Sequence, residues 1–271
     1  MKTIKRNKSK KETLPKISKA DLHVHSSFSD AKATPEEIVD WVHTNTDLTM
    51  IAITDHDEID GAFEARKIAN EKGYDLEVVI GEEVTAVEGH VVGLFLKKKI
   101  EPGMSAKDTI EAIHKQGGIA VAAHPFFQTR LRTLRGEQVD GVGGVTLIKE
   151  NFDAVEIVNA TPFVTAIKEG QRAKYLNRKL LLKAEVGGSD AHTKEAVGVA
   201  FTIFEGKTAA DLKKCLKAGS THAYRGRMSA SGLAKYLIFC VPHVGKIGYT
   251  IMRRGFSPRE PDIIKVPKDF R

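Results

Sequence analysis

The chain has 271 residues, a formal net charge of +7 and 41% hydrophobic residues, which is enough apolar material for one large domain or two small ones. Its two cysteines, Cys215 and Cys240, form no CxxC pair, which argues against a disulfide scaffold and predicts a reducing compartment, the cytoplasm. The sequence lacks an apolar secretory signal and the run of about 18 apolar residues that a membrane span requires, so neither is expected.

The positive charge is concentrated at the two ends of the chain. Residues 1–19 hold eight Lys/Arg against one acid and residues 225–271 hold ten against three, whereas residues 20–224 carry 24 basic and 31 acidic side chains. Basic ends attract anions, so they could contact nucleic acid or an anionic surface. We predict a solvated basic tail over 1–19, a central domain over 20–225 and a basic C-terminal extension over 226–271.

The central domain alternates strand-like and helix-like patterns. The clearest helix start lies at 34–46, with Thr34 as N-cap, Pro35 at the first helical position and Glu37 three residues after the cap. Strands are predicted over residues 20–25, 49–55, 76–85, 90–96, 119–125, 152–160, 183–191 and 197–204. Further helices are predicted over residues 59–73, 105–118, 165–180 and 208–219. This alternation predicts an α/β fold with βαβ units, a mostly parallel sheet and, with so many strands, a barrel.

Two segments interrupt the alternation. Residues 126–150 directly follow an Ala-His-Pro sequence and contain Arg130, Arg132 and Arg135. A connection this long predicts a lid or a substrate-binding insertion, in which the arginines either bind phosphate or lie on a solvated loop face. Residues 229–271 begin with an apolar stretch, which predicts a helix packed on the barrel and broken at a proline, or alternatively a helix at an interface.

Six of the ten histidines lie in five short motifs with carboxylates close by. The motifs are DLHVHSSFSD (21–30), TDHD (54–57), GEEVTAVEGH (81–90), AHP (123–125) and GSDAH (188–192). Asp55, His124 and Asp190 fall at the C-terminal ends of predicted strands, where α/β barrels build their active sites. His and carboxylates are the usual protein ligands of Zn, Mn and Fe. The motifs therefore predict one polynuclear metal centre.

Spacing indicates which side chains can face this centre. His23 and His25 are two residues apart on a strand and face the same side. Glu82 and Glu83 are adjacent and point in opposite directions, so only one of them faces the centre. The proline after His124 predicts an extended backbone at that histidine.

Two positions allow more than one interpretation. Asp55 or Asp57 could cap the helix that begins near Ile59 instead of facing a metal. Asn159 follows Glu156 by three residues, which places the two side chains on opposite faces of a strand. We expect at most one of them to point at the centre, and Asn159, nearer the active-site end, is either a substrate-binding candidate or a turn residue.

The ordered set of motifs resembles the PHP family, the polymerase and histidinol phosphatase superfamily, over about residues 20–225. The resemblance implies a distorted (β/α)7 barrel with its active site at the C-terminal ends of the strands, two or three divalent ions (Mn, Fe or Zn) and phosphoesterase activity. Glu83 matches the family pattern of Gly, any residue, then Glu. The implied ligands are His23, His25, Glu83 and Asp190 for one ion, with Glu83 bridging to a second ion on His90 and His124, and Asp30, His56 and His192 for a third.

The form of the motifs also bears on the substrate. Asp30 stands where histidinol phosphatases have His, so the chain resembles the stand-alone phosphoesterases that include nucleoside 3′,5′-bisphosphate phosphatases and 5′–3′ exoribonucleases. We expect hydrolysis of a phosphorylated small molecule, a nucleotide or a short nucleic acid by a metal-bound hydroxide, with His124, Asp190 and His192 as catalytic candidates. The alternatives are a histidinol phosphatase-like monoesterase, a nucleic-acid-associated nuclease and a metal-binding protein without turnover.

Overall fold

A mixed sheet forms the centre of the fold. The computed structural model describes residues 16–127, 130–133, 136–160, 164–239 and 241. The strands are β1 (Ile17–Val24), β2 (Met50–Ile53), β3 (Glu77–Thr85), β4 (His90–Leu94), β5 (Ile119–Ala122), β6 (Arg130–Thr133), β7 (Gly136–Val139), β8 (Ala154–Asn159), β9 (Ala184–Gly188), β10 (Ala200–Glu205) and β11 (His222–Arg225). Nine of them, in the order β11-β10-β1-β2-β3-β4-β5-β8-β9, form the sheet, and β6 pairs with β7 in a separate hairpin.

Helices connect most of the strands. They are α1 (Pro35–Asn45), α2 (Asp60–Glu71), α3 (Ala106–Lys115), α4 (Gly143–Lys149), α5 (Val164–Leu176), which continues into a π-turn (Asn177–Leu181), α6 (Ala209–Ala218) and α7 (residues 230–239). α1 begins as predicted, because the Thr34 hydroxyl accepts from the Glu37 amide and the Glu37 carboxylate accepts from the Thr34 amide. None of the helices in the described part of the chain combines the length and the hydrophobicity needed to span a bilayer.

Strands β2, β4, β5 and β9 are buried on both faces, which accounts for their continuous apolar runs. Along β2, Met50 and Ala52 belong to a cluster of strand residues joined by α6, while Ile51 and Ile53 belong to a second cluster that includes the inner faces of α1, α2 and α3. Alternate residues of one strand thus pack into two separate cores. The sheet is therefore a layer between a filled interior and an outer set of helices.

The connection between β3 and β4 departs from the predicted parallel arrangement. A tight turn links them, with reciprocal main-chain hydrogen bonds between Ala86 and Gly89, and β4 runs antiparallel to both β3 and β5. Such a turn is too short for the crossover that parallel strands require. Within the described residues the sheet has four parallel and four antiparallel pairings, so the expectation of a mostly parallel sheet is wrong.

The reversal at β4 matters for the functional edge of the sheet. The first residue of β4, His90, pairs with Thr85 at the end of β3. An antiparallel strand presents its beginning where its parallel neighbours present their ends. His90 therefore lies at the same edge as the C-terminal ends of β1, β2 and β3.

The barrel closes where β9 approaches β1 and β10. The Thr202 hydroxyl on β10 accepts a hydrogen bond from the Gly187 amide (2.9 Å) and donates one to the Gly187 carbonyl (3.0 Å). A Cβ atom at Gly187 would lie 2.5 Å from the carbonyl oxygen of Phe201. Glycine is thus required for the close approach of the two strands at this seam.

Three predicted segments are partly changed by the structure. Residues 126–150 are not a loop, because they contain the β6–β7 hairpin and α4; a role as lid or substrate insertion stays a prediction. β1 begins at Ile17, so the last residues of the predicted tail over 1–19 belong to the sheet. In the extension over 226–271, α7 is helical as expected and buries Tyr236, whereas its break at the following proline lies outside the described residues.

Replacement of Gly187 by alanine tests the seam. Gly187→Ala is expected to lower the free energy of unfolding by about 1–3 kcal/mol, because the new methyl group must displace the Phe201 carbonyl. The measurement is urea unfolding in the presence of a chelator. Gly73→Asn is the control, since Gly73 has a φ of +65°, which Asn tolerates, and open space around its Cβ position. Equal stability of the two variants would contradict the close approach.

Candidate metal centre

Nine histidine and carboxylate side chains from five segments of the chain meet at one edge of the barrel. Their ligand atoms fall into four overlapping groups, in each of which the atoms lie within 4.8 Å of one another. The groups are His25, Asp30, His56 and His192; His23, His25 and Asp190; His23, Glu83 and His124; and His56, Glu83 and His90. The structure thus brings together every residue that the family resemblance implied as a ligand.

Glu83 lies at the centre of the cluster and is completely buried. Imidazole nitrogens lie 3.0–3.3 Å from its two carboxylate oxygens. Oε2 faces His23, His25 and His56, and Oε1 faces His90 and His124. One carboxylate is therefore shared between two sets of nitrogen atoms, which is the arrangement of a bridging ligand.

Many of these atoms lack hydrogen-bond partners. Among the described residues, the buried atoms without a partner include His23 Nε2, His25 Nδ1 and Nε2, both ring nitrogens of His90, His124 Nδ1 and Glu83 Oε2. Unpaired buried polar atoms are costly and rare in folded proteins. Divalent cations bound between the rings would satisfy their lone pairs, and nitrogen and oxygen donors of this kind suit Mn, Fe and Zn. The residues present therefore fit a polynuclear metal centre.

The charges within the cluster depend on each other. Burial alone would lower the pKa of His25 and of His124, but the facing carboxylates outweigh it and raise these pKa values to about 10 and about 9. Burial would raise the pKa of Glu83, yet the surrounding imidazoles hold that pKa well below its ordinary value. At His56 burial dominates and lowers the pKa to about 3. Protons and divalent ions compete for the same lone pairs, so metal binding must weaken at low pH.

The centre is open on one side. The side chains of His25 and Glu83 are inaccessible to solvent, whereas those of Asp30 and His56 are 42% and 28% exposed. His192, at 14%, lies between these extremes. Asp30 and His56 are therefore the ligands that a substrate can reach most readily.

Main-chain contacts across the barrel seam hold the ligands of β1 and β9. The Asp190 amide donates to the His23 carbonyl (2.8 Å), and the His25 amide donates to the Ala191 carbonyl (3.0 Å). Asp190 and His124 adopt positive φ angles of +52° and +27°. The expectation of an extended backbone at His124 is thus wrong; a turn in which its carbonyl accepts from the Phe127 amide imposes the strained conformation.

Asp55 binds the loop between β1 and α1 rather than capping α2. Its Oδ1 accepts from the Ser26 amide and the Ser29 hydroxyl, and its Oδ2 accepts from the Ser26 hydroxyl, each at 2.6 Å. The N-cap residue of α2, Ile59, makes no side-chain cap hydrogen bond. The interpretation of Asp55 or Asp57 as a cap is therefore wrong, and Asp57 instead accepts from the amide of the last residue of β3.

Glu156 is a residue of the site over which the sequence analysis preferred Asn159. Its Oε1 accepts from His23 Nδ1 (3.0 Å), and its Oε2 accepts from the His124 amide (2.7 Å) and from Asn159 Nδ2 (3.1 Å). Asn159 Nδ2 also lies 3.2 Å from Asp190 Oδ2. A carboxylate on His23 Nδ1 directs the Nε2 lone pair into the centre.

The position of Glu156 contradicts the expected strand geometry. A register shift between Glu156 and Val158 marks a bulge in β8. The extra residue restores both Glu156 and Asn159 to the same face, although their spacing of three predicts opposite faces. The expectation that at most one of them points at the centre is therefore wrong, and no sequence signal announced the bulge.

Some of the residues considered in the sequence analysis do not belong to the cluster. Glu82 points away from the cluster and accepts from the Ile100 amide (2.8 Å). Arg135 and the side chains of Arg130 and Arg132 lie outside the described residues. Outside the centre, His222 is exposed on β11.

A substitution of Glu156 tests its support of the ligands. Glu156→Gln is expected to weaken Mn²⁺ binding by about 10–100-fold, because an amide cannot accept hydrogen bonds at both ends. Isothermal titration calorimetry measures the affinity. Glu71→Gln, on the exposed face of α2, is the matched control and should bind as the wild type does. Unchanged affinity in Glu156→Gln would show that His23 and His124 are oriented without it.

The buried Glu82 carboxyl predicts a pH dependence of stability. Burial raises its pKa to about 7, above the value of about 4.3 in an unfolded chain. Between these pH values the folded protein binds more protons than the unfolded chain. The free energy of unfolding therefore falls as the pH rises towards 7. In urea unfolding without metal, Glu82→Gln should therefore gain stability relative to the wild type between pH 5 and pH 8, by up to about 3 kcal/mol. A difference that does not change with pH would contradict a raised pKa.

Comparison with known proteins identifies the family of this chain. The PHP domain model matches residues 21–187, and a PHP-associated model matches residues 171–221. The chain is similar to an uncharacterized protein of Methanocaldococcus jannaschii, at 40% identity over 153 residues, which are 52% of this chain and 82% of that protein. It is also similar to a 3′,5′-nucleoside bisphosphate phosphatase of Chromobacterium violaceum, at 36% identity over 90 residues, which are 32% of this chain and 30% of that protein.

A solved structure agrees with the fold. The crystal structure of a two-domain protein of Bacteroides vulgatus, containing a predicted PHP-like metal-dependent phosphoesterase, matches with a TM-score of 0.60 and 21% identity. The match covers 78% of this chain and 66% of that chain. The nearly closed sheet and this likeness confirm the distorted (β/α)7 barrel. The chain belongs to the PHP family of metal-dependent phosphoesterases.

Proposed function

We propose that the chain hydrolyses a phosphate ester of a nucleotide or a short oligonucleotide at the nine-residue centre. The observation that carries the proposal is the convergence of nine histidines and carboxylates with unpaired buried atoms. Similarity to a 3′,5′-nucleoside bisphosphate phosphatase supports the class of substrate. The matched region is about a third of that phosphatase, so its substrate is carried over to this chain only as a proposal.

The geometry supports the division of ligands implied by the family. Glu83 would bridge two ions, one also held by His23, His25 and Asp190 and the other by His90 and His124. Asp30, His56 and His192 form a group of their own with His25, which supports a third ion. When bound, divalent ions of Mn, Fe or Zn activate water as a nucleophile and neutralise the charge of the phosphate.

Proton transfer and orientation are proposed for His192, His124, Asp190 and Asn159. His192 Nδ1 donates to the Asp190 carbonyl (3.0 Å), which directs its Nε2 towards Asp30 (3.1 Å). His124 Nε2 lies 3.0 Å from Glu83. Both histidines are partly accessible and are the candidates to protonate the leaving oxygen, a role that each can take only while its Nε2 binds no ion. Asp190 faces the Nε2 atoms of His23 and His25. Asn159 stands beside Asp190 and would orient it, with substrate contact as its second proposed role.

Three further proposals rest on the sequence. Arg130, Arg132 and Arg135 would bind a phosphate of the substrate, and the basic ends of the chain would attract a polyanionic one. A reducing, cytoplasmic setting is the expectation from cysteine usage.

Hydrolysis by the Mn²⁺-loaded protein tests the proposed function, measured as inorganic phosphate from phosphate monoesters and as released nucleotides from RNA. The substrates are adenosine 3′,5′-bisphosphate, a short RNA and histidinol phosphate, of which the first two should be hydrolysed. Glu83→Gln is expected to lower kcat/KM by at least about 100-fold, because it removes the charge shared by two sets of nitrogens. Its metal content, measured by mass spectrometry of the dialysed protein, should also fall.

A matched control and a clear contrary outcome accompany this test. His222→Gln removes an exposed histidine far from the cluster and should leave both turnover and metal content unchanged. Full activity of Asp190→Ala, or turnover that survives complete chelation, would overturn the assignment of the centre.

A further inference from the structure

A loop that carries Lys32 borders the side of the centre on which Asp30 is exposed. Residues 26–33 connect β1 to α1 and carry Asp30, and they are held by the Asp55 carboxylate through Ser26 and Ser29. The Lys32 amide donates to the carbonyl of His192 (3.2 Å). The backbone of Lys32 is therefore fixed directly to the ligand set.

The side chain of Lys32 extends over an aromatic ring. Its ammonium group lies 5.8 Å from the centroid of Phe239, and the Phe239 ring lies 5.7 Å from the ring of His192. Phe239 is only 6% exposed and belongs to α7, whose neighbouring Tyr236 is anchored in the main hydrophobic core. Cation–π attraction at this distance favours the observed placement of the ammonium. Two successive contacts thus connect the Lys32 ammonium through the Phe239 ring to the ligand His192.

The charge of Lys32 is not compensated nearby. A cavity of about 260 Å³ lies between α7 and the start of α1 and is lined by Lys32 together with two acid–base pairs. Glu37 pairs with Lys194 (3.2 Å), and Glu195 pairs with Lys235 (2.6 Å). Within the part of the chain that the structure describes, Lys32 makes no ion pair. The charged side chains that line this cavity therefore carry one net positive charge, that of the exposed Lys32.

The ring below this cation comes from outside the family segments. The two family models end at residues 187 and 221, whereas α7 covers residues 230–239. The structural element beside the ligand His192 therefore lies outside the residues that either family model matches. A wall beside the exposed ligands affects what can enter from that side, because the organic part of a phosphate ester bound there projects outwards past it.

We propose that Lys32, held over Phe239 at the open side of the centre, binds a second anionic group of the substrate, such as the other phosphate of a nucleoside bisphosphate. The inference rests on the proposed function and specifies its substrate class. It assigns recognition of the second phosphate to the α1 loop and α7, independently of the arginines at 130, 132 and 135. An exposed ammonium without an acidic partner has its full charge available for such a contact.

Steady-state kinetics with paired substrates tests the proposal. For adenosine 3′,5′-bisphosphate, Lys32→Gln should raise KM about tenfold, the loss of one hydrogen bond to a charged group, with kcat changed less than twofold. KM for adenosine 5′-monophosphate and adenosine 3′-monophosphate should stay at the wild-type value. Lys32→Arg should restore recognition of the bisphosphate, and Lys67→Gln, an exposed lysine of α2, is the control.

A labelling experiment gives a readout that does not require turnover. Lysines of the full-length, metal-loaded protein are acetylated with an N-hydroxysuccinimide ester, and the rates at Lys32 and Lys67 are compared by peptide mass spectrometry. Adenosine 3′,5′-bisphosphate should slow labelling of Lys32 but not of Lys67, and the monophosphates should protect less.

The outcomes separate this inference from the proposed function. Equal changes in KM for bisphosphate and monophosphates in Lys32→Gln, or no change for either, would overturn the role of Lys32. If the wild type hydrolyses no phosphate ester, the proposed function fails, and the protection of Lys32 from labelling still decides whether the residue binds the second phosphate.

Discussion

The constraint on which the structure depends is the burial of the Glu83 carboxylate among imidazole rings. A lone charge in this environment would be strongly disfavoured, and the carboxylate tolerates burial because nitrogen atoms surround both of its oxygens. The same crowding leaves ring nitrogens without hydrogen-bond partners among the described residues. The cluster is thus stable only as a unit, and cations are the partners that match its unpaired atoms.

Several irregularities of the backbone serve this unit. The antiparallel β4 delivers His90 to the edge where its neighbours end, and a bulge in β8 turns Glu156 towards His23. His124 and Asp190 occupy positive φ angles that ordinary strands avoid. Each of these irregularities orients one side chain towards the centre. The regular parts of the barrel, by contrast, are ordinary alternating strands packed between two apolar cores.

This division explains how much the sequence could predict. Periodicity located most helices and strands, and the spacing of His23 and His25 placed both rings on one face because a strand repeats every two residues. Asn159 was preferred over Glu156 because the bulge that brings both side chains to one face does not follow this repeat. The conformation of His124 was wrong because tertiary contacts overrode a local preference. β11 was not anticipated, since its exposed residues HAYR lack an apolar pattern, and the family resemblance, not spacing, separated Glu83 from Glu82 and grouped the nine ligands.

The seam of the barrel has a consequence for the behaviour of the whole molecule. β9 ends the sheet on one side, and the segment that follows it contacts β1 by an isolated bridge and main-chain hydrogen bonds at the ligands rather than by a continuous ladder. His23 on β1 and Asp190 after β9 belong to the same ligand group. A cation held by both residues is therefore a cross-link across the seam. Binding and unfolding would then be thermodynamically linked, so bound metal would raise the free energy of unfolding of the barrel as well as supply its chemistry.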